Sequence, residues 1–278
     1  MCTTCGLHNA EGLWYLDEER HRIRSLGRFR DGISNKLNPL ISVGLKLVRR
    51  KRPHYQSSRM GFVSRAVLDW FAKTLHGMQF LPDIDSAHKV IDMANELALV
   101  PCLCRMAMDP EDPPVYRCIA MNIATRIYFR PEMKVDARPI DKEQAKNLVA
   151  DWRGKGAWQS VGWLWDANVI WVCNCDEHCV AYRAPEVVWG GIPSFVVSSL
   201  AQPSACDGCR ECADWCKHRA LSFDERGVVS VDPAMCKGCG LCIDNCPTDA
   251  LAFEPRQTTY DIRTKTVKHL GDGMVSID

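Results

Sequence analysis

No stretch of the 278-residue chain approaches the roughly 18 consecutive apolar residues of a membrane-spanning helix, the nearest being short runs such as 192–201. No membrane span is therefore expected. The opening residues MCTTCGLHNAEGLWYLDEERHRIRS lack the positive-then-apolar order of a secretory signal, and a cytoplasmic, reducing setting is the expectation. Nucleotide signatures are missing too: there is no G-x-G-x-x-G after a strand, no G-x-x-x-x-G-K-[ST] and no G-x-S-x-G, and Gly190-Gly191 reads as a turn. A flavin or nicotinamide involved in the chemistry then belongs on a partner. Excess charge is lacking as well, with 35 Lys and Arg against 34 Asp and Glu. With no helix-turn-helix signature either, nucleic acid is not an expected partner.

Cysteine is what the chain has in excess, 16 residues, several times what packing uses. In a reducing compartment clustered thiols are read as metal ligands before disulfides. The neutral total also hides a division of charge. Residues 20–52 carry eleven Lys and Arg against one acid, Asp31, and end in Arg49-Arg50-Lys51-Arg52-Pro53. This reads as a basic arm for docking, or as a solvated loop.

Hydrophobic spacing predicts a helix through Phe62, Ala66, Val67, Trp70, Phe71 and Leu75, ending near Gly77. A second is expected from an Asp85-Ser86 cap through Val90, Ile91, Ala94, Leu97 and Ala98, and a third from Asp141 through Trp152 to Gly154 and Gly156. Trp163, Trp165 and Val169 to Val172 read as a hairpin turning at Asp166-Ala167-Asn168, with Cys173-Asn174-Cys175 at the end of its second strand. Six of the nine tryptophans lie between Trp152 and Trp189, as core packing or as a dry shell around a metal centre.

The last third contains Cys206-x2-Cys209-x2-Cys212-x3-Cys216 and Cys236-x2-Cys239-x2-Cys242-x3-Cys246-Pro247. The runs repeat at 30 residues (236 − 206), and Gly208/Gly238, Ala220-Leu221/Ala250-Leu251 and Phe223/Phe253 keep the register. Three cysteines spaced by two residues wrap three corners of a cubane cluster, and the fourth points away to the neighbouring cluster. The expected ligand sets are Cys206, Cys209, Cys212 and Cys246 for cluster I and Cys236, Cys239, Cys242 and Cys216 for cluster II. Structural zinc uses paired Cys-x2-Cys and leaves the central third cysteine unexplained.

These residues resemble a bacterial-type ferredoxin domain with two [4Fe-4S] clusters, over about 200–255, with Lys217 where a proline usually follows the fourth cysteine. The resemblance implies low-potential, one-electron transfer to or from a redox partner, a flavoprotein or metalloenzyme. Between 206 and 249 stand eight acids and five bases, an acidic end that would steer such a partner.

Eight cysteines remain. Cys102-Leu103-Cys104-Arg105, Val172-Cys173-Asn174-Cys175 and Pro193-Ser194-Phe195-Val196-Val197 are similar to elements of a group of predicted iron–sulfur proteins, described as electron-transfer or oxidoreductase proteins, in which a ferredoxin domain follows a helix-rich region. Cys102, Cys104, Cys118, Cys173, Cys175 and Cys179 are the candidate ligands of a third site, an iron–sulfur cluster or zinc, with Asp176 and His178 as further non-thiolate candidates. Cys2 and Cys5 form a lone terminal pair, a ligand pair or an oxidisable dithiol.

The expected fold class is α+β: a mainly helical N-terminal region with a small β-hairpin, followed by a (βαβ)2 ferredoxin-like dicluster domain. Its parts are a basic arm at 1–57, a cysteine-rich helical and hairpin domain at 58–199, the dicluster domain at 200–255 and a tail at 256–278. The expected function is an electron-transfer protein or oxidoreductase subunit, suited by its cluster type to an anaerobic cell. The alternative is a catalytic reductase whose metal site is the N-terminal cysteine cluster, fed by the ferredoxin domain.

Overall fold

The computed structural model describes residues 14–18, 21, 76–108, 113–129, 135–164, 168–179, 193–256, 258–261 and 266–269. Of the expected basic arm at 1–57 only 14–18 and 21 are described, and the helix expected over 62–75 and the Cys2/Cys5 pair lie outside the described residues.

The helix α1, Ile84–Asp92, is capped by Asp83, two residues before the expected Asp85, the Asp83 side chain accepting from the Ser86 N–H at 2.6 Å. It also ends earlier than its apolar spacing suggested. The Asn95 N–H donates to Asn122 Oδ1 at 2.9 Å, and the apolar run that follows becomes strand β2, Leu97–Pro101, rather than another helical turn. Five apolar residues in a row carry no face preference, so local pattern alone does not separate a buried strand from a buried helix.

β2 belongs to a six-stranded antiparallel sheet with β1 (His76–Phe80), β3 (Tyr116–Met121), β4 (Arg138–Pro139), β5 (Trp158–Leu164) and β6 (Asn168–Cys175), in the order β1-β5-β6-β3-β2-β4. Among the described residues this sheet organises 76–175, where the sequence had suggested helices and one hairpin. β1, β2 and β3 are covered on both faces and so show little of the polar alternation that marks a strand. The hairpin is β5–β6, with Leu164 opposite Asn168, and its turn at 165–167 lies outside the described residues.

The helix expected from Asp141 is α4, Lys142–Gly154, opened by a capping box in which Asp141 and Gln144 satisfy each other's backbone N–H groups. α1 and α4 cover one face of the sheet, packing Val90, Ile91, Val149 and Trp152 against Ile119 and Val172. Two shorter helices, α2 (Leu103–Met108) and α3 (Ile123–Tyr128), follow β2 and β3. The opposite face carries Ala98, Val100 and Ala120 against Ala124 and Tyr128 of α3, and beside them Met78, Phe80 and Trp158 around Cys173, Cys175 and Cys179.

The C-terminal part is strand–helix–strand twice: β7 (Val196–Leu200), α5 (Glu211–Trp215), β8 (Leu221–Phe223), then β9 (Val229–Val231), α6 (Leu241–Asp244), β10 (Leu251–Pro255). β7 pairs with β10 and β8 with β9, both antiparallel, so the two halves embrace. Beyond them β11 (Thr258–Asp261) and β12 (Thr266–His269) form a separate hairpin in what reads from sequence as a tail.

Arg153, 5% exposed, joins this part to the sheet. Its guanidinium donates from Nε to Asp244 Oδ2 (2.5 Å), from Nη1 to Gln159 Oε1 (2.7 Å) and from Nη2 to the carbonyls of Pro82 (3.2 Å) and Cys239 (3.1 Å). Gly240 meets the same place. At φ +73° it rests so close that an added Cβ would lie 2.2 Å from the Pro82 carbonyl oxygen.

Arg153→Met strands three buried acceptors and one carboxylate, and should lower unfolding free energy by about 3 kcal/mol. An unchanged denaturation midpoint under anaerobic conditions would show that apolar contacts alone hold the junction. Gly240→Ala should destabilise comparably, whereas Gly154→Ala, with nothing within 4 Å of the added carbon, should be tolerated.

Candidate metal centres

Cys206 and Cys209 lie in the loop entering α5, Cys212 in its first turn, and Cys246 just after α6. Burial, then the neighbouring Cys246, Cys209 and Cys206, push the Cys212 thiol up to about 11. Burial likewise raises Cys242 to about 12, with Cys239, Cys216 and Cys236 as its charged neighbours. The fourth cysteine of each run therefore stands among the first three of the other. Four thiolates gathered at one place repel one another unless a cationic group neutralises them, which is the condition a metal cluster meets. The donors present fit such a group.

The 30-residue repeat is also written in the backbone. Positive φ recurs at Gly208 and Gly238, Arg210 and Gly240, and Arg219 and Asp249. These left-handed turns aim amide groups at sulfur: the Gly238 N–H donates to Cys236 Sγ at 3.4 Å and the Ala220 N–H to Cys216 Sγ at 3.3 Å. Lys217, in place of a proline, uses its N–H on the Trp215 carbonyl at 3.1 Å, so the turn after Cys216 gains a bond that proline could not make.

The two sets differ in surroundings. A small pocket is lined by Cys206, Cys209, Cys212 and Cys246, and Cys209 is exposed to solvent. Beside it the Arg210 guanidinium sits over the Phe223 ring at 5.4 Å. The other set faces inward, where Cys239 and Leu241 pack into the layer that holds Trp158, Phe80, Cys173, Cys175 and Cys179.

The six remaining described cysteines come together. Cys118 and Cys173 are opposite each other on β3 and β6, and Cys175, two residues on, keeps to the same face while Asn174 turns to the other. Asn174 Nδ2 donates to the Arg117 carbonyl at 2.9 Å, and its Oδ1 accepts from Gln159 Nε2 at 3.2 Å. The alternation of Cys-Asn-Cys is thus a strand with a sulfur face and an amide face. Cys102 is held between β2 and α2 by its N–H to the Val115 carbonyl (2.8 Å), and Cys179 by its N–H to the Asp176 carbonyl (3.0 Å).

The thiols form a closed ring. Cys102 stands beside Cys104 and Cys118, Cys118 beside Cys173, Cys173 beside Cys175, Cys175 beside Cys179, and Cys179 beside Cys104. The Cys179–Cys175 sulfur separation is 3.4 Å. Accepting from Cys104 and Cys118 holds Cys102 well below the ordinary thiol range, and accepting from Cys173 and Cys179 brings Cys175 down to about 7. Cys104 and Cys118, which donate to Cys102, are pushed well up.

Asp176 and His178 do not join the ring. The Asp176 carboxylate pairs with Arg105 and, at 2.5 Å, with Arg117, and the His178 side chain is exposed. Among the described residues no three His, Cys, Asp or Glu side chains close on a point that would hold one metal ion.

Aromatic rings separate the ring of thiols from the inward-facing set. Phe80 and Trp158 stack with centroids 6.1 Å apart, and His218 meets both edge-on at 5.2 and 4.9 Å. Burial, with Lys237 nearby, lowers His218 to about 4, so it packs as a neutral ring at neutral pH. Sequence reasoning did not single out Phe80, His218, Gln159 or Arg153. Local spacing carries no signal for partners brought together over such long sequence separations, and only the tryptophan density around 152–189 pointed here.

No helix among the described residues is long and apolar enough to cross a membrane. No curated protein and no solved structure matches the chain. Residues 205–250, which include all eight cysteines of the two runs and none of the sheet, match the 4Fe-4S dicluster domain family, and this supports a ferredoxin-like iron–sulfur domain with an electron-transfer role in that segment.

Proposed function

We propose that the protein relays single low-potential electrons to or from a partner oxidoreductase through two [4Fe-4S] clusters, one held by Cys206, Cys209, Cys212 and Cys246 and the other by Cys236, Cys239, Cys242 and Cys216. What supports this is that Cys246 lies among Cys206, Cys209 and Cys212, and Cys216 among Cys236, Cys239 and Cys242. Bound there, each cluster would supply a one-electron couple, within the roughly −700 to +450 mV span of iron–sulfur centres, with no open iron for substrate. The chain's own part is to surrender thiol protons, direct the amides of Gly238 and Ala220 at sulfur, and exclude water from the inward set with Leu241, Trp158 and Phe80.

The pocket around Cys209 is the side at which a redox protein docks. Asp207, Glu211 and Asp214 lie close in sequence there and favour a basic face on a flavoprotein or metalloenzyme. The basic arm supplies a second docking element. The described cysteines are all free, which suits a reducing, cytoplasmic setting. The ring of six thiols is a third metal centre fused to the ferredoxin-like part. Placing a substrate-binding reductase site at the ring is less favoured, since Cys102, Cys173, Cys175 and Cys179 are only 3% to 8% exposed.

Anaerobic iron and sulfide analysis combined with EPR tests this reading. Cys216→Ala should abolish or alter the signal of the centre bound by Cys236, Cys239 and Cys242 and spare the other; the reverse result would refute the ligand exchange. Because one set opens to solvent and the other is walled in, chelator or mild oxidant should remove the first centre's iron, about four atoms, in a faster phase. Single-phase loss of all the iron would contradict that asymmetry.

A further inference from the structure

We propose that Cys102, Cys104, Cys118, Cys173, Cys175 and Cys179 together bind one polynuclear iron–sulfur centre of more than four irons, with all six sulfurs as ligands. This rests on the two-cluster reading of the C-terminal part for its iron baseline and adds the nature of the third site.

The first ground is number. Cys104, Cys118, Cys173, Cys175 and Cys179 pack in one cluster, with Cys118 opposite Cys173 across two strands, and Cys102 lies beside Cys104 and Cys118, so none stands aside as a bystander. A tetrahedral ion takes about four thiolates and a cubane about four, and either would leave two sulfurs buried and unused.

The second ground is charge. Among the described residues the cations adjacent in sequence to the ring cysteines, Arg105 and Arg117, are both already paired with Asp176. Six thiolates carry six negative charges, which a bound group of several metal atoms offsets better than one divalent ion does.

The third ground is chemistry and place. The donors are all sulfur, which selects zinc, cuprous copper or iron–sulfur centres over harder ions. Cys173, Cys175 and Cys179 share one packed layer with Cys239 of the inward-facing set, bridged by Trp158, Phe80 and Leu241. A dry aromatic contact between two thiolate sites suits a centre that exchanges electrons, which zinc does not. Tyr128, 3% exposed and bearing the fields of Cys118, Cys173, Cys102 and Cys104, closes another side with its phenol held un-ionised by burial.

The test is made on the intact chain, purified anaerobically. Iron, sulfide and zinc are measured on wild type, on each of the six single Cys→Ala variants and on Cys118→Ala/Cys173→Ala, with Mössbauer and EPR spectra. The ring's content is the wild-type iron less that of the double variant. More than four irons by this difference, with every single substitution altering the same spectral component, is the expected result. Four irons or fewer overturns the proposal. So do two substitutions that leave the component unaltered, which would mark a cubane with two idle thiols, and so does zinc in place of the difference. Failure of the two-cluster reading registers separately, as a double variant well short of about eight irons. Native mass spectrometry of the wild type gives metal and sulfide mass directly, so the count survives a variant that does not fold; a total of about twelve irons or fewer on an intact two-cluster baseline overturns the proposal.

Discussion

The guanidinium of Arg153 reaches four acceptors on separate segments, and the relation between the two cysteine-rich parts depends on it. It ends helix α4, grips Gln159 beneath the sheet, and holds the carbonyl of Cys239 and the carboxylate of Asp244 on the C-terminal part. A buried cation of this kind costs solvation and returns it only when each donor finds a partner. Here each nitrogen has one. The same Gln159 passes the connection on to Asn174, between two thiols of the ring, and so one polar chain under the sheet positions sulfur on both sides of the aromatic layer.

How much of this could be read from the chain alone follows the distance over which each feature is decided. The two cysteine runs are local objects: their spacing, repeat and glycine positions lie within a few residues and need no distant partner to be read. The cap at Asp141 is equally local. β2 and β3 were hidden because LALVP and YRCIAM are settled by what pairs with them and by cover on both faces. The six further cysteines were recognised as a set from their chemistry, but their closure into a ring depends on Cys118 and Cys173 meeting across two strands that lie far apart in sequence. Asp176, plausible as a ligand by adjacency, proved to be engaged by two arginines that the linear order does not bring near it.

Burial and hydrogen bonding pull the thiols in opposite directions. In the C-terminal part burial raises Cys212, Cys239 and Cys242 despite amide groups aimed at the sulfurs. In the ring, hydrogen bonding between thiols is strong enough to reverse the trend at Cys102 and Cys175, so charge is concentrated on two sulfurs by the donation of the other four. Both patterns describe donor sets that a metal would compete for by replacing protons.

The paired left-handed residues Arg210 and Gly240 occupy equivalent turns of the repeat but live under different constraints. Gly240 is pinned against the Pro82 carbonyl, where no side chain fits, while Arg210 stands at the solvent-facing turn and lays its side chain over Phe223. Duplication made the two turns alike, and docking of one of them onto the sheet broke the symmetry. The inner copy is thereby frozen by its fit to the rest of the molecule. The outer copy has no such contact at its turn, so its surface residues can change without disturbing the junction on which the fold relies.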